Sequence, residues 1–234
     1  MGSFHFKQFT IQQDKTAMKV GTDSILLGSW LNVRPKCNSI LDVGTGTGLL
    51  ALMMAQKTTK STITALEMDL AACHQAEINI KASPWKERIK LISTDARQWS
   101  SEDKFDLIIS NPPYFSDSIL SKDASRKNAR HQVGFDLNDL VMIWCRQGSE
   151  DSELACVLPV DESKKMITLI ESKNYSLKSY LVVQPKPGST PNRAFMLFSK
   201  EKVPTIKSEL CIYSDKGVYT KEYITLTEDF YLGL

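Results

Sequence analysis

The chain lacks the cysteine spacing that would staple it or bind a metal. Its five cysteines, Cys37, Cys73, Cys145, Cys156 and Cys211, are odd in number and scattered, and none forms a CxxC pair; His5, His74 and His131 are equally dispersed. Neither a disulfide framework nor a zinc site is suggested, and a reducing compartment fits best. The opening MGSFHFKQFT has no apolar core of a signal peptide, and Phe6 stands where a myristoylation signal needs Ser or Thr. No apolar run is long enough to span a bilayer. The expected location is the cytoplasm, with no membrane and no metal as partner. A surplus of one charge is missing too. Lys plus Arg (29) nearly balance Asp plus Glu (27), and the net charge of +2 does not announce a polyanion.

What is present is one domain's worth of core: 234 residues, 42% of them hydrophobic. Charge is unevenly spread. Lys173, Lys178, Lys186, Arg193, Lys200, Lys202 and Lys207 stand against Glu201 alone, and Lys122, Arg126, Lys127 and Arg130 against Asp123. Such stretches can seat phosphates, although a solvated face is the plainer explanation. Strand-like runs alternate with helix-like ones: strands at Ser39–Val43, Ser61–Leu66, Arg88–Ile92, Phe105–Ile109 and Glu153–Leu158, and helices at Leu49–Gln56, Leu70–Lys81, Leu137–Arg146 and around Met166–Glu171. Asp69 and Asp136 or Asn138 are start signals, and Pro159 ends a strand. Later strand-like runs are Leu177–Val183, Ala194–Ser199 and Leu210–Tyr213. The expected fold is α/β: a mostly parallel, seven-stranded sheet with helices on both faces and antiparallel strands near the C-terminus. Residues 1–38 form an extension, 39–160 the core, and 161–234 a partly basic, substrate-side region. In such sheets ligands bind beyond the C-terminal ends of the strands.

The first strand end carries Asp42-Val43-Gly44-Thr45-Gly46-Thr47-Gly48. Glycines permit positive φ and let a ligand approach the backbone. Leu49 stands where the dinucleotide fingerprint needs its third glycine, and no Lys-Ser/Thr follows as in a P-loop. The observed Asp-x-Gly-x-Gly-x-Gly resembles the loop of Rossmann-like methyltransferases that bind S-adenosylmethionine. Glu67 follows Asp42 by 25 residues at the next strand end, placed to accept both ribose hydroxyls, with Met68 beside it. Asp95, followed by Ala96, could accept from an adenine amino group. Each acid alone reads equally well as a helix cap or a surface charge. Three at consecutive strand ends do not.

Asn111-Pro112-Pro113-Tyr114 follows the next strand. Proline pairs often end strands, yet this tetrapeptide arises by chance in such a chain only about once in a thousand cases at average composition. A planar amine has a delocalised lone pair. If the Asn111 oxygen and the Pro112 carbonyl each accept one N–H, the nitrogen is drawn toward tetrahedral geometry with its lone pair aimed at a methyl donor. Proline brings no competing N–H, and Tyr114 can stack on an extruded base. Asp106 is not expected to act as a base; it is expected just before the strand proper.

With these motifs the chain resembles the class I Asn-Pro-Pro-Tyr amino-methyltransferases, which act on adenine N6 or on a glutamine amide. The resemblance implies that Met18–Leu27 is a cofactor motif placed before the first strand, with Lys19, Gly21, Thr22 and Asp23 near the methionine end; Thr22 or Asp23 also reads as a plain helix N-cap. Phe4–Asp14, Ala129–His131, Pro191–Arg193, Val218–Tyr223 and Asp229–Tyr231 are similar to the bacterial tRNA1(Val) adenine-N6 methyltransferase family. That likeness implies a tRNA partner, its backbone held by Arg126, Lys127, Arg130, His131 and Arg193; the sequence leaves the oligomeric state open, with a monomer the simplest expectation. A ribosomal-RNA or DNA adenine, a protein glutamine, and a silent nucleotide-binding module are the alternatives. About forty residues precede the first strand, too few for the helical domain that glutamine methyltransferases usually carry.

Overall fold

The computed structural model describes residues 2–14, 19–113 and 134–233. Its central sheet contains β3 (Ser39–Val43), β4 (Thr62–Glu67), β5 (Ile89–Ser93), β6 (Phe105–Ser110), β7 (Gly148–Pro159), β8 (Ser176–Gln184), β9 (Arg193–Ser199) and β10 (Ile206–Cys211). The strand order is β10-β8-β9-β7-β6-β3-β4-β5. Eight strands therefore replace the seven expected. The edge strand β10 starts four residues before the expected run Leu210–Tyr213, because four of its six residues are exposed and carry no apolar pattern. Only β9 runs against the rest: it is antiparallel to β7 and β8, whereas β8 pairs parallel with β10.

The inner strands are near-continuous apolar runs because both of their faces are covered. Ile40, Ile63, Ala65, Leu107 and Ile109 pack under α1 (Thr22–Trp30), α2 (Leu49–Lys57), α3 (Leu70–Lys81) and α6 (Lys221–Thr227). Leu41, Val43, Leu66 and Ile108 face α4 (Leu137–Gln147) and α5 (Val160–Ser172). Asp69 caps α3 by accepting from Ala72 N–H, and Asp136 caps α4 in a reciprocal box with Asp139. Gly28 lets α1 close on α2; a Cβ there would lie 2.6 Å from Met53 Sδ. The N-terminal hairpin of β1 (Ser3–His5) and β2 (Thr10–Gln12) lies against the C-terminal segment through a Phe6–Tyr231 bridge.

The chain runs from β3 outward through β4 to β5, then returns to β6 on the other side of β3. That reversal opens a crevice above the carboxyl ends of β3 and β6. Asp106 lies inside β6, not ahead of it, and accepts from the backbone N–H groups of Asn38 and Ser39 at the opposite edge of the sheet. Among the described residues no helix is long and apolar enough to cross a membrane, and no three His, Cys, Asp or Glu side chains gather in a way that could hold a metal.

Candidate active site

The crevice is floored by the loop after β3. Gly44 and Gly46 take φ of +73° and +58°, and a Cβ on either would meet nothing within 4 Å. Both line the pocket with bare backbone. Gly48 (φ +84°) has a different task. It starts α2, and a Cβ there would touch Ala76 and Ile80 of α3 at 3.6 Å.

Asp42 lies beneath this loop and not on the pocket wall. Fully buried, it accepts from Thr45 Oγ1 (2.6 Å) and from Ala51 N–H (3.0 Å) in the first turn of α2. Burial pushes its carboxyl up to about 7. Thr45 is likewise buried and given over to this bond. Asn79 of α3 braces the loop from behind, donating to Thr47 O (2.9 Å) and exchanging hydrogen bonds with the backbone of Gln12 in β2.

Glu67 reaches over from β4. Its Oε2 accepts from Gly46 N–H at 2.8 Å and its Oε1 from Asp69 N–H at 2.9 Å. Each oxygen keeps acceptor capacity beyond these bonds. Asp95, after β5, is gripped by Arg97: Nε lies 3.0 Å from each carboxylate oxygen and a terminal nitrogen 2.6 Å from Oδ2. Those hydrogen bonds hold the Asp95 carboxyl below its usual range, so at neutral pH it accepts only. Arg97 also donates to Gly134 O (3.4 Å), next to Phe135 on the pocket wall. Leu66, Met68, Ala72, Ala96 and Phe135 make the wall apolar.

Asn111 follows β6, and it and the two prolines line the same pocket. Its Nδ2 donates to Ser24 Oγ of α1 at 2.8 Å, while its Oδ1 is buried with no hydrogen-bond partner among the described residues. Ser110 fastens the strand end by donating from Oγ to Val43 O (2.8 Å). A buried acceptor without a partner is costly, and such an atom in a crevice invites a donor from a ligand.

The expected residues thus separate into three sets. Gly44, Gly46, Glu67, Met68, Asp95, Ala96, Asn111, Pro112 and Pro113 share the pocket. Asp42, Thr45 and Gly48 support its loop from below, and Lys19, Gly21 and Thr22 are exposed outside the lining. Neither Thr22 nor Asp23 caps α1, whose N-cap is Gly21 without a side-chain bond. Arg193, expected on RNA, donates from Nε to Asp23 Oδ2 at 2.7 Å and from a terminal nitrogen to Asn192 O. Tyr114, Arg126, Lys127, Arg130 and His131 lie outside the described residues. Sequence reasoning passed over Ser24, Asn79, Arg97 and Phe135. Ser24 sat inside the quoted motif and Arg97 two residues after an assigned acid; Asn79 and Phe135 gave no signal.

A protein of Tolumonas auensis named tRNA1(Val) (adenine(37)-N6)-methyltransferase is 45% identical to this chain over 233 residues, covering 99% of the chain and 98% of the relative. One of the same name from Haemophilus influenzae is 44% identical over 235 residues, covering 99% of each. The chain belongs to the tRNA1(Val) (adenine(37)-N6)-methyltransferase family. Residues 16–130 match the family model described as Methyltransferase small domain. This stretch holds the glycine loop, the pocket acids Glu67, Asp69 and Asp95, and the Asn111 turn. In fold, this family member is similar to a predicted O-methyltransferase from Agrobacterium tumefaciens, with a TM-score of 0.71 at 16% identity, covering 89% of this chain and 96% of the other.

Proposed function

We propose that this protein transfers the methyl group of S-adenosylmethionine to the exocyclic N6 amine of adenine 37 in tRNA1(Val), the reaction its relatives are named for. The setting of the Asn111 carboxamide carries the proposal: its nitrogen is tied to Ser24, and its buried oxygen is left without a partner in the crevice.

The pocket fits the cofactor. Gly44 and Gly46 offer a wall with no Cβ, Glu67 offers acceptors to ribose hydroxyls, and Asp95, held anionic by Arg97, offers acceptors to the purine amine. Leu66, Met68 and Phe135 supply the apolar surface an adenine ring needs. When bound, S-adenosylmethionine supplies a methyl carbon on a positively charged sulfur, open to attack by a nitrogen lone pair.

The chain's own residues prepare that nitrogen. Asn111 Oδ1 accepts one N–H of the target amine and the Pro112 carbonyl the other, which draws the nitrogen out of conjugation with the ring. Both acceptors would meet the positive charge that grows on nitrogen as the N–C bond forms and the methyl–sulfur bond breaks, with S-adenosylhomocysteine leaving as the neutral thioether. They therefore favour the transition state over the ground state. The methylated nitrogen, now cationic and strongly acidic, releases one proton to water. Tyr114 is the residue assigned to stack on the extruded base. Arg126, Lys127, Arg130, His131 and Arg193 are assigned to the RNA backbone, and the working compartment is the cytoplasm.

The test is to supply the purified full chain with labelled cofactor and a tRNA1(Val) transcript, then map the modified nucleotide. Label on adenine 37, lost when that base is changed to guanine, is expected. The Asn111→Ala variant is expected to lose transfer by at least about a hundredfold, the scale of removing one charge-matched acceptor, with cofactor affinity nearly unchanged. Label in protein glutamine, or full turnover by Asn111→Ala, would overturn the assignment.

A further inference from the structure

An aromatic stack that the reaction above does not use stands on the catalytic edge of the sheet. After β10 the chain turns back in a hairpin in which Tyr213 bridges Tyr219. Gly217, at φ +74°, closes the loop; Ser214 N–H donates to Val218 O (2.8 Å), and Tyr213 N–H donates to Pro185 O at the end of β8 (2.9 Å). The Tyr213 and Tyr219 rings stack at 5.0 Å and 20°, and Tyr219 stacks on Tyr223 at 4.7 Å and 17°. Tyr223 is buried, with its hydroxyl 3.3 Å from that of Tyr231, so the innermost ring is fixed. The two outer rings are each 38% exposed, and Val218 beside them is 60% exposed. Among the described residues no other ring stacks on Tyr213.

Strand direction decides where this stack faces. β8 and β10 run the same way as β7, β6 and β3, so β10 ends on the edge that carries Asn111. Four strand spacings separate β10 from β6, roughly 19 Å. That is the length of about five or six stacked nucleotides at ~3.4 Å each. The basic run of the C-terminal third mostly faces away. Lys173 ends α5, Lys178 and Lys207 lie early in β8 and β10, and Lys200 and Lys202 follow the reversed strand β9; all five sit at the opposite edge. Near the hairpin in the chain, Lys186, Lys216 and Lys221 stand against Asp215 and Glu222.

We infer that the Tyr213–Tyr219 stack is a docking surface for an unpaired base of the substrate RNA, which extends the stack on Tyr213 while the Asn111 turn holds the target adenine. This rests on the RNA substrate of the proposed function. A ring presents a π face to any base, so the contact tolerates sequence and adds affinity and register. The ring anchored at Tyr223 makes the platform rigid, which spares the entropy of ordering loose side chains on binding. The nearby lysines can reach phosphates on either side of the stacked base.

The test uses the full-length protein with the tRNA1(Val) transcript and with its isolated anticodon stem-loop. Tyr213→Ala is expected to raise the KM for RNA by between about fivefold and a hundredfold, the range that loss of one base–aromatic stack gives, with kcat at saturating RNA and affinity for S-adenosylhomocysteine unchanged. Tyr213→Leu, which keeps apolar bulk and guards against misfolding, is expected to show the same rise, and Tyr213→Trp to restore a low KM. The tryptophan of that last variant should be quenched on adding the stem-loop. An unchanged KM in both Tyr213→Ala and Tyr213→Leu overturns the docking surface while leaving the proposed reaction in place. Wild-type protein that binds no RNA at all overturns both.

Discussion

Ser24 Oγ accepts a hydrogen bond from Asn111 Nδ2 at 2.8 Å, across 87 residues of sequence. A carboxamide has one donating and one accepting end, and rotation by half a turn exchanges them. Seating the nitrogen on α1 leaves the oxygen as the end that meets the pocket, and no other partner among the described residues competes for it. Ser24 therefore acts on the reaction through Asn111, as a positioning residue.

Ser24→Ala removes that seat and lets the carboxamide turn. Misplacement of a reacting group by about 1 Å can cost on the order of a hundredfold. The expected result is a single-turnover rate lower by about ten- to a hundredfold, with KM for RNA and cofactor affinity close to wild type. Ser24→Thr keeps a hydroxyl and should recover most of the rate. Rapid-quench kinetics on the three proteins would check this, and a defect confined to KM would count against the assigned role.

Gly46 and Gly48 both have positive φ, yet they should fail differently when replaced. A non-glycine residue in the left-handed region costs about 1–2 kcal/mol, so both Gly46→Ala and Gly48→Ala should melt lower by several degrees. The Gly46 Cβ would project into open pocket, whereas that of Gly48 would rest against Ala76 and Ile80. Calorimetry should show cofactor affinity falling by at least about tenfold for Gly46→Ala and much less for Gly48→Ala. Equal losses would mean that the cofactor does not lie along the Gly44–Gly46 wall.

Arg97 grips Asp95 through three nitrogen–oxygen contacts of 3.0 Å or less. Arg97→Leu should free the carboxylate to rotate and raise its pKa toward the ordinary range. Affinity for S-adenosylhomocysteine is expected to drop about tenfold, the scale of one hydrogen bond to a charged group, and its loss in acid should begin at higher pH than in wild type. Asp95→Ala should weaken binding as much, and the double variant little more. Additive losses in that cycle would show that the two side chains act separately.

The parts of this site that were legible in the sequence share one cause. Alternating β and α elements put every parallel strand end on one edge, so residues following β3, β4, β5 and β6 had to meet there. Relationships between distant segments were not legible. The ion pair of Arg193 with Asp23, 170 residues away, is one of them. The basic run reads as one surface because its residues are neighbours along the chain. The reversed direction of β9, the return of α5 and the starts of β8 and β10 together carry most of it to the far edge. Asp106 read as a residue ahead of its strand, since a carboxylate among apolar residues looks like a boundary; the N–H groups of Asn38 and Ser39 let it lie within β6. β10 was displaced toward Tyr213 because its exposed residues carry no apolar alternation.

Asp42 supports the cofactor loop at a cost in stability that depends on pH. Burial raises its carboxyl from 3.8 to about 7, with a smaller push from the charge of Glu67, against the lowering hydrogen bonds of Thr45 and Ala51. Between about pH 4 and 7 the folded protein holds a proton that the unfolded chain has released. This contribution to stability is complete below the unfolded pKa and is lost as pH rises through the folded one. Integrated over the window, it amounts to about 4 kcal/mol at most. Asp42→Asn keeps an oxygen that can accept from Thr45 and Ala51 but cannot titrate. Without ligand, wild type should therefore lose stability relative to Asp42→Asn between pH 4 and 8, by roughly 2–4 kcal/mol. Denaturant titrations across that range would measure it. Parallel curves for the two proteins would show that Asp42 enters the folded state already ionised, and the loop would then be held by a buried charge and not by a neutral acid.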